Sequence, residues 1–233
     1  MVTAGMIHSG LNVWIAILVG LVIGTVLGLV NGLAVTKGNV PPFIATLAMM
    51  TMARGATLVY SGGRPKSNLG TAFGFLGQGK ILSIPVPVII LFVVFIIAYY
   101  VLTQTATGRY IYATGSNEKA AKLSGIKTDY IKLLVYAVSG FTAALTGMIV
   151  TSMLDSASPN AGNGAELDAI AAVVLGGTSL SGGQGSVVGT IIGGLIIGVL
   201  NNGLNLLNVS SYYQQLIKGI VILVAVLIDR RKR

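Results

Sequence analysis

Only 9% of the 233 residues are charged, so the side chains able to do acid, base or nucleophilic chemistry are quickly surveyed. There is one histidine, His8, which sits alone, and no cysteine. No disulfide framework or thiolate metal site can form, and no hydrolytic constellation exists. No G-x-x-x-x-G-K-[ST] phosphate loop occurs, so the chain cannot bind and split ATP by that route. An energy source, if there is one, is another polypeptide. No catalytic residue, metal ligand or cofactor is expected. Asp155, Glu166 and Asp168 gather in one short segment with Asn160 and Asn163. That segment can pair with basic residues of a docking protein, hold a cation, or be a hydrated acidic loop.

One extended polar stretch remains, residues 104–132, QTATGRYIYATGSNEKAAKLSGIKTDYIK, set between long apolar runs. It reads as one brief capped helix. Ser116 or Asn117 caps its start and Glu118 suits its first turn. Lys119 to Ser124, through Lys122 and Leu123, continue it. Gly125 is placed as a left-handed stop, with Ile126 folding back behind it. The product is two turns, about 12 Å long. Ala120 and Ala121 offer little bulk, so a partner can approach closely. Capping at both ends is more than a connector requires, and favours a docking knob for a soluble protein over a solvated loop helix.

The elements that position this island are apolar. A soluble domain of ordinary composition carries about 25% charged residues, so most of this surface faces something other than water. The formal net charge is +9, yet the basic residues sit at the ends of apolar runs, where they orient membrane spans rather than bind nucleic acid. A helix needs about 20 apolar residues to cross a bilayer. Segments 12–33, 43–61, 85–104, 133–154, 185–207 and 212–229 meet that measure, and their continuous rather than alternating character makes strands unlikely. The first of these is too long, and lacks the basic flank, for a signal peptide.

Lysine and arginine place segment 105–132 and the tail Arg230, Arg231, Lys232, Arg233 in the cytoplasm, with 62–84 as an outer loop. Arg64, Lys66 and Lys80 in that loop mildly violate the rule. Counting spans then fails by one: three crossings after residue 132 would leave the tail outside. The segment Glu166–Leu180 must supply an additional crossing or a deep re-entrant element. It is too short to span comfortably and contains Gly176-Gly177. A half-helix 166–180 ending in Gly-rich backbone is tolerated at membrane depth only inside protein or beside a wet cavity. Arg54 and Lys218 lie inside apolar runs, and each can face a pathway, form a structural ion pair or snorkel. Trp14, Tyr60, Tyr212 and Tyr213, with Tyr99 and Tyr100, fit interfacial belts. Gly24/Gly28 and Gly189/Gly193, with Gly194 and Gly198, give small-residue faces for close helix packing. Residues 23–33 echo 197–204 with one register slip and opposite deduced orientation, the pattern of an inverted repeat. Such a repeat implies spans missing before the first copy.

Three blocks carry a resemblance over nearly the whole chain: GNVPPFIATLAMMTMARGATLVYSGG (38–63), GRYIYATGSNEKAAKLSGI (108–126) and GAELDAIAAVVLGGTSLSGGQGSVVGTIIGGLIIGVLNNGLNLL (164–207). The chain resembles the permease subunits of ribose-type monosaccharide importers of the ATP-binding-cassette family. The resemblance implies an all-α integral membrane fold, a polytopic helical bundle with an inverted repeat. That fold is similar to the vitamin B12-type (type II) importer permeases, here as a single transmembrane permease domain over residues 1–233. It implies a bacterial cytoplasmic membrane location, a second permease copy in a homodimer, a cytoplasmic ATPase as motor, and a periplasmic or lipid-anchored sugar-binding protein. The lipid bilayer is the solvent, and nucleic acid is not a partner. The family's coupling helix matches Asn117, Glu118, Ala120, Ala121, Lys122, Leu123, Gly125 and Ile126. Members of the family begin with three further spans, so the chain is expected to be truncated at its N-terminus. A monosaccharide needs no charge neutralisation, which suits a pathway of hydroxyls and amides: Thr46, Thr51, Thr178, Ser179, Asn201, Asn202 and Asn205. A passive channel or facilitator, and a non-transporting fragment or accessory membrane subunit, are the rival readings.

Overall fold

The computed structural model of the chain describes residues 1–231, with the side chains of all of these except residues 211, 222 and 224–231. In chain order the elements are α1 (Val2–His8), α2 (Val13–Thr36), α3 (Pro42–Ser61), β1 (Lys66–Ser67), α4 (Thr71–Gln78), β2 (Lys80–Ile81), β3 (Ile84–Pro85), α5 (Val86–Gln104), α6 (Ala106–Ser116), α7 (Glu118–Leu123), α8 (Thr128–Met153), β4 (Ser156–Ala157), α9 (Ala165–Leu175), α10 (Val187–Leu206) and α11 (Ser211–Arg231). Among the described residues, α2, α3, α5, α8 and α10 are the five helices long and apolar enough to cross a membrane. Their exposed surface is greasy, with Trp14, Leu18, Phe43, Val59, Ile96 and Val199 all more than half exposed, as side chains in lipid are. The side chains of the basic tail, Arg230–Arg233, lie outside the described residues.

Five of the expected spans coincide with helices to within three residues at each end. Two expectations need correction. The run expected at 133–154 begins at Thr128, because Asp129 in the first turn suits the positive end of the helix dipole and Thr128 is itself buried. The half-helix expected at 166–180 stops at Leu175. Gly177 adopts φ +82°, its N–H reaches Val174 O at 2.9 Å, and Thr178 N–H reaches Val173 O at 3.1 Å. That pair of bonds is the Schellman ending, which satisfies the last carbonyls of a helix. The long apolar runs are helices, not strands, and among the described residues strands occur only as four two-residue pieces in two antiparallel pairs.

The chain divides into two compact units. The first comprises Met1–Val94 and Asp129–Ala161. Ala4, Leu69, Phe73, Met148 and Ala157 form its buried cluster, flanked by Ile7, Val13, Ile17, Leu21 and Leu76. Gly24, Gly28 and Gly32 present a bare stripe of α2 to α8. A methyl group on Gly28 would strike the carbonyl of Tyr136, and one on Gly140 the carbonyl of Gly24. The backbones therefore touch, as small residues permit within a membrane. The loop between α3 and α5 is fastened to the C-terminal end of α8. Ser152, fully buried, donates its hydroxyl to Phe73 O at 2.7 Å and accepts Gly77 N–H at 2.7 Å. β1 pairs with β4, Lys66 opposite Ala157. Asp155, read from sequence as part of an acidic cluster, accepts Leu69 N–H on Oδ1 at 3.0 Å and so serves this junction.

The second unit comprises Phe95–Thr128 and Gly162–Arg233. Here α9 packs against both α10 and α11. Gly189 and Gly193 of α10 lie against Gly176 and Ala172, where an added methyl group would meet backbone. Gly194 and Gly198, read with them as packing residues, face open space.

Candidate functional site

The polar stretch is two helices rather than the one brief helix expected. α6 escapes a propensity reading because Gly108, Gly115 and three β-branched residues make it a poor helix former. It forms on tertiary contacts and on the cap of Thr105, whose Oγ1 accepts Gly108 N–H at 3.3 Å. α7 follows after a single residue. Asn117 ends α6 and caps α7, accepting Ala120 N–H on Oδ1 at 3.0 Å. At the other end Gly125 takes φ +82°, with Gly125 N–H on Lys122 O at 3.0 Å and Ile126 N–H on Ala121 O at 3.1 Å. α7 is six residues, about 9 Å, shorter than the expected 12 Å.

The faces of α7 differ from the sequence reading. Ala121, taken as docking surface, is buried. The exposed face carries Ala120, Lys122, Gly125 and, at 90% exposure, Leu123. Glu118 holds Lys122 at 3.2 Å and accepts from Thr128 Oγ1 at 3.5 Å, tying α7 to the first residue of α8. Ile126 is half-buried behind the helix. The unit therefore offers a short helix, capped at both ends, with one bare leucine at its tip.

α6 also reaches the Gly-rich turn between α9 and α10. Tyr112 donates its hydroxyl to Gly185 O at 3.1 Å. The backbone of Gly115 lies on that of Gly182 and Gly183: a methyl group on Gly115 would sit 2.7 Å from Gly183 N, and one on Gly182 2.6 Å from Gly115 O. Both turn glycines have positive φ, 88° and 76°. A side chain at any of the three would push the turn off the helix. Beside this contact lies an open cavity of about 450 Å³ walled by Leu102, Ile111, Tyr112, Val173, Thr178 and Thr190.

The seven residues read as pathway lining are divided between the two units. Thr46 and Thr51 belong to the first unit, the other five to the second. Thr46 and Thr51 each donate to carbonyls of their own helix, 2.8–3.1 Å away, and five residues of helix separate them by about 140°. Thr178 and Ser179 build the Gly-rich turn. Ser179 is buried, its N–H on Gln184 O at 3.0 Å, and its hydroxyl accepts Ser181 N–H at 3.2 Å. Asn205 accepts Gln214 Nε2 at 2.9 Å across the α10–α11 turn. Asn202 is exposed. Asn201 faces a charged group, donating from Nδ2 to Asp168 Oδ2 at 3.4 Å.

That carboxylate answers the question left at Lys218, whose ammonium lies 2.9 Å from the same Oδ2. Lys218 therefore forms an ion pair, one of the outcomes open to a cation in an apolar run. Asp168 is thereby removed from the acidic loop, and no group of three metal-ligating side chains occurs among the described residues. Arg54 is half-buried in α3. The partner of Lys218 escaped the sequence reading because the two residues are fifty positions apart. An acid and a base both inside apolar runs were the available signal.

A bundle of long lipid-facing helices, a half-helix ending in a glycine turn and a capped polar helix define a multi-pass membrane permease. The model of the family described as branched-chain amino acid transport system / permease component matches residues 1–226, and the chain belongs to that family. It is similar to the ribose import permease protein RbsC of Bacillus subtilis (strain 168), 61% identical over 231 residues covering 98% of this chain and 72% of that protein. RbsC of Escherichia coli (strain K12) is 52% identical over 236 residues, covering 100% of this chain and 74% of that protein. The D-allose transport system permease protein AlsC of the same strain is 41% identical over 99% of this chain and 71% of its own length. No solved structure matches the chain.

Proposed function

We propose that this chain is the membrane-spanning subunit of an ATP-driven importer of ribose-like monosaccharides in a bacterial cytoplasmic membrane. The observation that carries the reading is the 61% identity to a ribose import permease over 98% of the chain. The chemistry agrees with it. The sequence has no phosphate loop and no hydrolytic constellation, so the work must be done elsewhere and delivered here.

Delivery falls to α7. A separate cytoplasmic ATPase would grip the face bearing Ala120, Lys122 and Leu123, and its closure on ATP would move α7 with it. Movement of α7 has two outlets inside the second unit. One is the Glu118–Thr128 contact at the head of α8, and the other runs through Asn117 into α6 and from Tyr112 and Gly115 to the glycine turn. The turn hinges α9 against α10, so a small displacement of α6 reaches the half-helix directly.

On this reading the span count closes. With α6 and α7 in the cytoplasm, the contact of Gly182 and Gly183 with α6 supports a turn at the inner side. α9 with its turn would then return the chain across the membrane, α10 would cross outward and α11 inward. An outer sugar-binding protein would supply substrate, and a second permease copy would complete the pathway. The experiment is uptake of labelled ribose in cells lacking their own ribose permease but supplying the ATPase and binding protein. ATP-dependent uptake on expression of this chain supports the reading. Uptake that persists without the ATPase identifies a passive facilitator, and no uptake overturns transport by this chain.

A further inference from the structure

Three helices of the second unit converge on one carboxylate. Asp168 of α9 accepts on Oδ2 from Lys218 of α11 at 2.9 Å and from Asn201 of α10 at 3.4 Å. Two oxygens of the group, Asp168 Oδ1 and Asn201 Oδ1, are buried and receive no hydrogen bond. Acceptors left without donors in a membrane bundle cost stability, and ionisable groups kept there usually serve the transported species. The side chains of Asp168 and Lys218 stay 30% and 21% exposed, so the edge of the group is open, and the two buried oxygens would come within reach of a ligand when α9 shifts against α10.

Its chemistry limits the ligand. A metal cation would have to enter beside the Lys218 ammonium, which already neutralises the carboxylate. An anion would meet two bare acceptor oxygens. A neutral molecule with several hydroxyls suits both: it donates to the two oxygens and accepts from the remaining N–H groups of Lys218. We infer that Asp168, Asn201 and Lys218 form a hydroxyl-recognition site for a monosaccharide on its way through the second unit. This rests on the import reading and adds a location to it. It selects Asn201 from the seven polar residues and adds two charged residues to it.

The absence of cysteine makes the test clean. Asn201→Cys and, as control, Val199→Cys, which is 72% exposed on the same helix, are introduced singly into the chain in membranes with its ATPase. The rate of alkylation by a small methanethiosulfonate is read with D-ribose, magnesium chloride or inorganic phosphate. At ribose about four times its Kd, Asn201→Cys should react about fivefold more slowly and Val199→Cys at an unchanged rate, with no effect of either salt. No slowing by ribose, equal slowing at both positions, or slowing by magnesium or phosphate overturns the site. Asp168→Asn gives a second reading: the ribose concentration for half-maximal uptake should rise about fivefold with the maximal rate retained. A merely structural ion pair would lower the maximal rate and leave half-saturation unchanged. Ribose uptake by the cysteine-free chain, measured alongside, separates the failures. Uptake without protection sinks this site alone, and no uptake sinks the import reading with it.

Discussion

Leu123 is the residue on which coupling should turn. An aliphatic side chain 90% exposed at the tip of a polar helix gains nothing from water and is ready to enter an apolar pocket of a partner. Leu123→Asp should leave membrane insertion intact and cut ATP-dependent uptake at least tenfold, because desolvating a carboxylate in such a pocket costs several kcal/mol. Uptake of labelled ribose checks it, with permease abundance measured on the same membranes. Ala121→Trp is a poorer probe of docking than the sequence implies, since Ala121 is buried and the indole would disrupt α7 itself. At Gly125 the argument is backbone strain. With φ at +82°, Gly125→Ala should destabilise the end of α7 by about 1–2 kcal/mol, visible as faster amide exchange at Ser124–Ile126, whereas Gly125→Asn should cost less. Equal exchange in the glycine and alanine forms would contradict the left-handed stop.

At the scale of elements, α6 is the joint between the polar helix and the glycine turn. Gly115→Leu would drive a side chain into the backbone of Gly183, so ATPase activity should persist while uptake falls. Tyr112→Phe removes one hydrogen bond, worth about 0.5–1.5 kcal/mol, and should weaken coupling more mildly. ATP consumed per sugar imported is the readout; an unchanged ratio in both variants would dissociate α6 from transmission. The long helices were legible because continuous apolar runs and caps are local signals, and α7 was legible for the same reason, with Asn117 and Gly125 at its ends. α6 was not, because its glycines oppose helix and contacts with Gly182, Gly183 and Gly185, some seventy residues on, help to hold it. The strand β1 waits on β4 in the same way, and Asp168 waits on Lys218. What a sequence conceals here is contact between segments far apart, and half of the candidate site is of that kind.

At the scale of the molecule, the two ends of α8 carry opposite business. Its C-terminal end is fastened to the loop between α3 and α5 through Ser152 and the β1–β4 pair, and its first residue is held by Glu118 of α7. A helix of 26 residues is about 39 Å long, enough to cross a bilayer. Sidedness is therefore what the account stands on: α7 must face the ATPase in the cytoplasm. The direct measurement is labelling of Leu123→Cys, the sole cysteine in the chain, by a membrane-impermeant maleimide on sealed cells and again after permeabilisation. The account requires no labelling from outside and full labelling once the membrane is opened. Labelling of sealed cells would put α7 on the outer face, out of reach of any ATP-driven motor.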